Sequence, residues 1–356
     1  MWGLGRQEGG GQGREKKANR GRRGSGPARL HFCLHALRSA VVTTTRTTAP
    51  EEAAAHLRTG GLVAFPTETV YGLGADAFQP AAVRRIFEAK ERPANNPLIV
   101  HLHAQTQLSE VAASVPPVAE DLMGQFWPGP LTLIFPKHPD LPTVVTAGLE
   151  TVGVRMPRLP LTRRFLAACD TPVPAPSANR SGRPSPTHWR AVAADLDGRI
   201  ECILQGGRTE AGVESTVVDC TTAPPAVLRP GAISVEAVRE CVGRASVVTP
   251  DDRTAPRSPG TQHRHYAPAA QVRLVDTPAD AVPAPTHAYI GLAPPAHPEA
   301  FGRTHVAADC AAYAHDLFHY FRACDAAGME IIFAQTVPPA GLGRALNDRL
   351  RRAAAR

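Results

Sequence analysis

The sequence predicts an α/β fold in two lobes, and three observations carry that reading. From Pro50 onward, short runs of Val, Ile, Leu and Phe alternate with stretches of helical apolar spacing, as in strands and helices packed in layers. A segment at 244–269 containing Pro250, Pro256, Pro259 and Pro268 breaks the periodicity, as a linker does. A shorter strand–helix pattern then resumes at 270–356. The expected organisation is a tail at 1–46, a larger α/β domain at 47–243, a linker at 244–269 and a smaller α/β domain at 270–356.

In order along the chain, a helix is expected over 51–58, stopped by Gly60-Gly61, then a buried strand at 62–65. Pro80 opens a helix over 81–90, since proline suits the first turn, with Val83, Ile86 and Phe87 on one face. A strand at 98–101 and a helix over 118–126 follow. Trp127-Pro128-Gly129-Pro130 forces a turn into a strand at 131–135. Further strands are expected at 152–155, 173–175, 202–205, 215–219 and 226–229, with helices at 161–168 and 187–196, giving a mixed, twisted sheet. The smaller domain should hold strands at 271–275, 288–292 and 329–333. Its helices are expected at 309–324, with Tyr313, Leu317, Phe321 and Cys324 at helical spacing, and at 343–352.

The formal charge of +7 points at first to nucleic acid, but its distribution argues otherwise. Residues 1–46 hold ten Lys/Arg against Glu8 and Glu15, so the tail carries +8 and the remainder −1. Gly/Arg-rich and without an apolar face, the tail should be disordered. It reads as an RNA-touching arm, as a transit peptide, or as an over-extended gene start with the protein beginning near Val41 or Val42. Seven cysteines without a Cys-x-x-Cys pair read as thiols of a reducing compartment. The thiols point to a cytoplasmic location, and no apolar run approaches the roughly 18 residues of a membrane span.

Gly72-x-Gly74-x-x-Ala77 fits a dinucleotide fingerprint only nominally, because the helix starts too late. No Gly-Lys pair exists, which excludes a P-loop. Lys90-x-Arg92-Pro93, followed by Asn96-Pro97, is a better anion site. Two cations leaving a helix end can converge once the chain extends before Pro93, and Lys90 is one of two lysines beyond the tail. Pro174-x-Pro176-Ser177-x-Asn179-x-Ser181-Gly182 supplies short hydrogen-bonding side chains on a restricted backbone. Arg155 and Arg229 each end a strand before a proline, which suggests a collected positive pocket. Glu214-Ser215-Thr216 sets hydroxyls on the lip of another strand. His263-x-His265 and His315/His319 lack the acidic or thiol partners of a metal site.

Together these motifs resemble the threonylcarbamoyl-AMP synthase family, YrdC-like, in its two-domain form. The resemblance spans 47 to about 242 and resumes at Ser258-Pro259-Gly260-Thr261-Gln262-His263-Arg264-His265-Tyr266-Ala267-Pro268. It implies a YrdC-like catalytic domain with a smaller Rossmann-like domain. It also implies synthesis of L-threonylcarbamoyl-AMP and pyrophosphate from L-threonine, bicarbonate and ATP. The product would pass to the tRNA threonylcarbamoyl transferase machinery that modifies adenosine 37. By motif position, Thr69, His101, Arg155, Ala175 and Ser215 would bind threonine. Arg92, Asn96, Thr151, Ser177, Ser185, Arg229 and Tyr266 would face ATP. Lys90, Arg92, Ser177 and Asn179 would form the catalytic tetrad. Mg²⁺ would arrive with ATP, with no protein metal ligand and no organic cofactor. Glu91 stands where most relatives have glycine, and its side chain should face solvent.

The implied chemistry suits a chain with no nucleophile triad. A threonine carbamate is already an anion, so attack on the α-phosphate needs positioning and charge neutralisation. The segment 263–268, too polar for a core, is expected to act as a lid excluding water. Two readings compete: a module binding double-stranded RNA or tRNA, and the YrdC-like segment of hydrogenase-maturation carbamoyltransferases. Aromatic residues at 5% leave few stacking platforms for the first. The second carries Cys-x-x-Cys zinc modules that this sequence does not contain.

Overall fold

The computed structural model describes Gly3 and residues 42–248 and 266–355. The expectations for the tail up to residue 41 and for His263 and His265 lie outside these residues. Val41–Arg356 form one compact unit.

The larger lobe is built on two sheets. A small one has the order β1-β8-β2-β3, from β1 (Thr45–Thr47), β8 (Cys202–Leu204), β2 (Val63–Phe65) and β3 (Gly72–Gly74). The other has seven strands in the order β11-β10-β9-β5-β6-β4-β7. These are β11 (Ser246–Val247), β10 (Ala226–Arg229), β9 (Thr216–Asp219), β5 (Leu131–Pro136), β6 (Thr151–Arg155), β4 (Ile99–His101) and β7 (Val173–Pro174). Pairing is mixed: β4 and β6 run parallel, while β5 and β6 run antiparallel. Helices α1 (Pro50–Arg58), α2 (Pro80–Lys90), α4 (Pro117–Phe126) and α6 (Pro160–Cys169) all open on proline, whose fixed φ and missing N–H cost nothing there. Two one-turn helices, α3 (Leu108–Val111) and α5 (Thr143–Thr146), and the capped α7 (Trp189–Leu196) and α8 (Val235–Val242) complete the lobe.

The smaller lobe is a parallel sheet in the order β12-β15-β13-β14. Its strands are β12 (Gln271–Val275), β15 (Ile331–Gln335), β13 (His287–Gly291) and β14 (Arg303–Val306), with α9 (Cys310–Ala326) and α10 (Leu342–Ala354). Its core includes Tyr313, Leu317, Phe321 and Leu350, and takes in Val70 of the larger lobe. The lobes therefore share apolar burial. At Gly212, φ +70, a Cβ would come within 2.3 Å of the His315 Cα on α9, so that close approach demands glycine.

Three strands of the larger lobe extend the sequence reading. Strand β1 lies inside the stretch read as tail, because Thr45 pairs with Cys202 and the Thr44 hydroxyl donates to the Ile200 carbonyl at 2.7 Å. Ser246–Val247, read as linker, adds a parallel edge strand to β10. The nominal fingerprint Gly72–Gly74 is a strand paired with β2. Glu91 closes α2 in the left-handed region at φ 53, where an L-residue costs about 1–2 kcal/mol. Its exposed carboxylate pairs with Arg180 at 2.6 Å and Arg199 at 2.9 Å.

Candidate active site

The strand-end arginines meet in one cavity. It is lined by the loop after β2, the ends of β4, β6 and β10, the segment 175–177, and Tyr266 at the end of the linker.

Arg155 closes β6 almost fully buried, with three sets of contacts. Its Nη1 donates to the Thr69 hydroxyl at 2.7 Å, Nε to the Gly129 carbonyl at 3.2 Å, and Nη2 lies 2.6 Å from the Glu68 carboxylate. The Thr67 hydroxyl donates to the Val70 carbonyl at 2.6 Å and sits 2.8 Å from the Thr69 hydroxyl. One proton direction therefore runs through the chain Arg155, Thr69, Thr67, Val70. His101 is buried beside this wall, with Nδ1 3.1 Å from the Ile99 carbonyl. Burial, with Arg155 adding to it, lowers the imidazole to about 3, so the ring is neutral.

Arg229 closes β10 opposite. Its Nη2 donates to the Ser215 carbonyl at 2.9 Å and the Ser215 hydroxyl at 3.1 Å, and that hydroxyl sits 2.8 Å from Thr132. A Cβ on Gly231 would fall 2.3 Å from the Thr216 nitrogen. Only glycine lets the turn after Arg229 lie flat on 214–216.

Arg92 enters from α2 with few protein partners. Its Nη2 reaches the Asn96 and Pro97 carbonyls only at 3.4 Å, and its buried Nε has no hydrogen-bond partner among the described residues. Burial, countered by Tyr266 and reinforced by Arg229, pulls its pKa down to about 10. An under-satisfied guanidinium beside another arginine is a site that an anion would relieve.

Lys90 and Arg92 do not converge. The left-handed Glu91 between them turns the chain, and the fully buried Lys90 ammonium donates to the Ser177 carbonyl at 2.5 Å and to the Asn179 carbonyl. Burial first, then Arg92, hold it well below the ordinary lysine range. Lys90 thus fastens the 177–179 loop from behind. The Asn179 side chain accepts from the Ser177 hydroxyl at 2.6 Å and donates to the Arg180 and Arg183 carbonyls at 2.8 and 2.9 Å.

Thr69, Arg92, His101, Arg155, Ala175, Ser177, Ser215, Arg229 and Tyr266 all line the cavity; Lys90, Asn96, Asn179, Thr151 and Ser185 do not. Asn96 is buried beneath Arg92, and Thr151 sits at the far end of β6 from Arg155. Ser185 donates to Glu214 at 2.6 Å.

Sequence reasoning missed the acids and their partner in the smaller lobe. Glu214 lines the cavity, and its Oε2 accepts from Nε of the fully buried Arg349 of α10 at 2.7 Å. Burial acts to raise Glu214, but Arg349 and then Arg229, with the Ser185 hydroxyl, hold it below the usual carboxylate range. Arg349 also donates to the Pro230 carbonyl at 3.0 Å and stacks 5.5 Å over the Tyr266 ring. No helix among the described residues is long and apolar enough to cross a membrane.

Comparison with known proteins agrees with this geometry. A family model described as telomere recombination (Sua5/YciO/YrdC) matches residues 55–231, and one described as threonylcarbamoyl-AMP synthase, C-terminal domain, matches 233–355. The threonylcarbamoyl-AMP synthase of Pyrococcus abyssi is 43% identical over 85% of this chain and 92% of its own length. That of Bacillus subtilis is 41% identical over the same shares. The crystal structure of P. abyssi Sua5 complexed with L-threonine superposes with a TM-score of 0.81 at 40% identity, covering 88% of this chain and 97% of that one. With both domains matched and the strand-end arginines gathered in one cavity, the chain belongs to the threonylcarbamoyl-AMP synthase family.

Proposed function

We propose that this cavity joins L-threonine, bicarbonate and ATP into L-threonylcarbamoyl-AMP with release of pyrophosphate, the product serving N6-threonylcarbamoylation of tRNA. The observation that carries the reading is the convergence of Arg92, Arg155 and Arg229 in one cavity without a nucleophile triad. Arg155, braced by Thr69 and Glu68, is suited to a threonine carboxylate. The P. abyssi relative complexed with L-threonine supports threonine as a substrate of this fold. Arg92 and Arg229 are suited to the triphosphate, whose Mg²⁺ travels with it. The pocket carboxylate Glu214, and Glu68 behind Arg155, each already face an arginine.

In the reaction bicarbonate loses hydroxide to give CO₂, the threonine amine adds to it, and the proton the amine releases joins that hydroxide as water, leaving the carbamate. A carbamate oxygen then attacks the α-phosphorus, and the α–β bridging oxygen leaves with pyrophosphate. The side chains contribute alignment and charge stabilisation as negative charge builds on the leaving group. Pyrophosphate release by the purified chain should require both L-threonine and bicarbonate. Release independent of either would refute the assignment.

Closure of the site follows from its size. The cavity holds about 60 Å³, against roughly 300–1,000 Å³ for ligand pockets in general, so ATP enters only if a wall moves. We assign that movement to Tyr266, which ends the linker at φ 67; in the closed position its ring is buried on Phe318 at 5.2 Å and the next N–H, of Ala267, bonds the Gly182 carbonyl at 2.8 Å. His263 to His265 of the expected lid lie outside the described residues. Ending the chain after Val248, which keeps β11, should leave threonine-dependent ATP consumption but raise free AMP relative to retained adenylate. Equal retention by the shortened and full chains would show that Tyr266 is not a lid.

A further inference from the structure

Loop residues 175–177 border the cavity just described, while 181–184 border a second cleft of about 1000 Å³ between the lobes. Its two acids are already engaged. Asp195 accepts from Arg183 and from Arg322 of α9, each at 2.7 Å, and Asp325 accepts from the Ala269 and Ala270 N–H groups at 2.8 and 3.2 Å.

Of the basic groups in the lining, Arg183 and Arg322 hold Asp195 and Arg208 holds Asp316 at 2.6 Å, which leaves Arg190, His188 and His319 without an ion pair among the described residues. Arg190 lies 4.8 Å over the Trp189 ring, and among the described residues no carboxylate pairs with it. His188 caps α7 by accepting the Arg190 N–H at 3.1 Å on Nδ1, which fixes the ring. Burial, then Arg190, His319 and Arg208, lower the His188 imidazole. Burial, then Arg208, lower that of His319 against the opposing pull of Asp316. The buried Ser181 hydroxyl has no hydrogen-bond partner among the described residues. An arginine without a carboxylate partner, two imidazoles and an orphan hydroxyl are donors that a polyanion would engage. The apolar wall is formed by Ala191 and Ala194 of α7 and Ala323 and Ala326 of α9. Side chains ending at Cβ leave a slot for a flat group.

We propose that this cleft is a second nucleotide site, with a purine base in the alanine-walled slot and phosphates at His188, Arg190, His319 and the Ser181 hydroxyl. A nucleotide bound there bears on the catalytic cavity, because the Asn179 side chain donates to the Arg183 carbonyl while its partner Ser177 lines that cavity.

The test uses the full chain and ADP. Calorimetry should resolve two classes of ADP site, one lost in Arg92→Ala and the other in Arg190→Ala/His319→Ala. In Arg92→Ala, ADP should move the His188 imidazole titration to higher pH by NMR. Three results would overturn the proposal: a single class insensitive to the double change, a His188 response to inorganic pyrophosphate as strong as that to ADP, or a response only to an RNA oligonucleotide. Arg190 and His319 are exposed, so folding does not confound the double change, and thermal unfolding of Arg92→Ala serves as its own control.

Discussion

In Arg92→Ala, pyrophosphate release is expected to fall by about 10²–10³-fold, or roughly 3–4 kcal/mol of transition-state stabilisation, while the melting temperature hardly moves. The asymmetry follows from the contacts of Arg92. Its bonds to the protein are two long ones of 3.4 Å, and its Nε has no hydrogen-bond partner among the described residues. Folding therefore loses little when it goes, whereas the triphosphate loses a charge-assisted donor. Arg92→Lys should recover only part of the rate, since a point charge does not reproduce a planar fork. Steady-state pyrophosphate release beside thermal unfolding decides the matter. A variant that melts far below the parent would make Arg92 a structural residue.

Arg349→Met is expected to destabilise the chain by about 3–5 kcal/mol, because removing one partner of a buried pair leaves the other as an uncompensated charge. The melting temperature should drop on the order of 10 °C. Arg349 is fully enclosed, and the Glu214 carboxylate receives its Nε at 2.7 Å. Adding Glu214→Gln to the methionine variant should restore part of the loss, since the stranded charge is then gone. Strictly additive effects of the two changes in thermal unfolding would show that the pair is not coupled.

Legibility in the sequence follows the range of the physics involved. α2 and α6 announce themselves through an opening proline and an apolar face, and β5 through Leu131, Leu133, Ile134 and Phe135 after a proline turn. By contrast, β1 and β14, reading TRT and RTHV, carry no apolar alternation; partner strands define them. At the site, Arg155 and Arg229 were visible as strand-end cations. Glu68 was passed over as one polar residue among threonines, and Glu214 joins Arg349 across a separation of 135 residues. No local pattern encodes such a pair. The divergence of Lys90 from Arg92 was hidden for a related reason, because the left-handed φ of Glu91 is unusual for glutamate.

The placement of Lys90 also bears on chemical self-harm. Threonylcarbamoyl-AMP is a mixed anhydride, and a neutral amine beside it would attack the carbamoyl carbon, expel AMP and leave a urea on the enzyme. A buried lysine whose pKa is depressed is the amine most able to do this. Here its nitrogen is turned away and tied to the Ser177 and Asn179 carbonyls. The cations lining the cavity are Arg92, Arg155 and Arg229, whose guanidinium groups hold phosphate and carboxylate without acting as nucleophiles. Dividing the labour between lysine and arginine lets the site grip an acylating agent without being acylated by it.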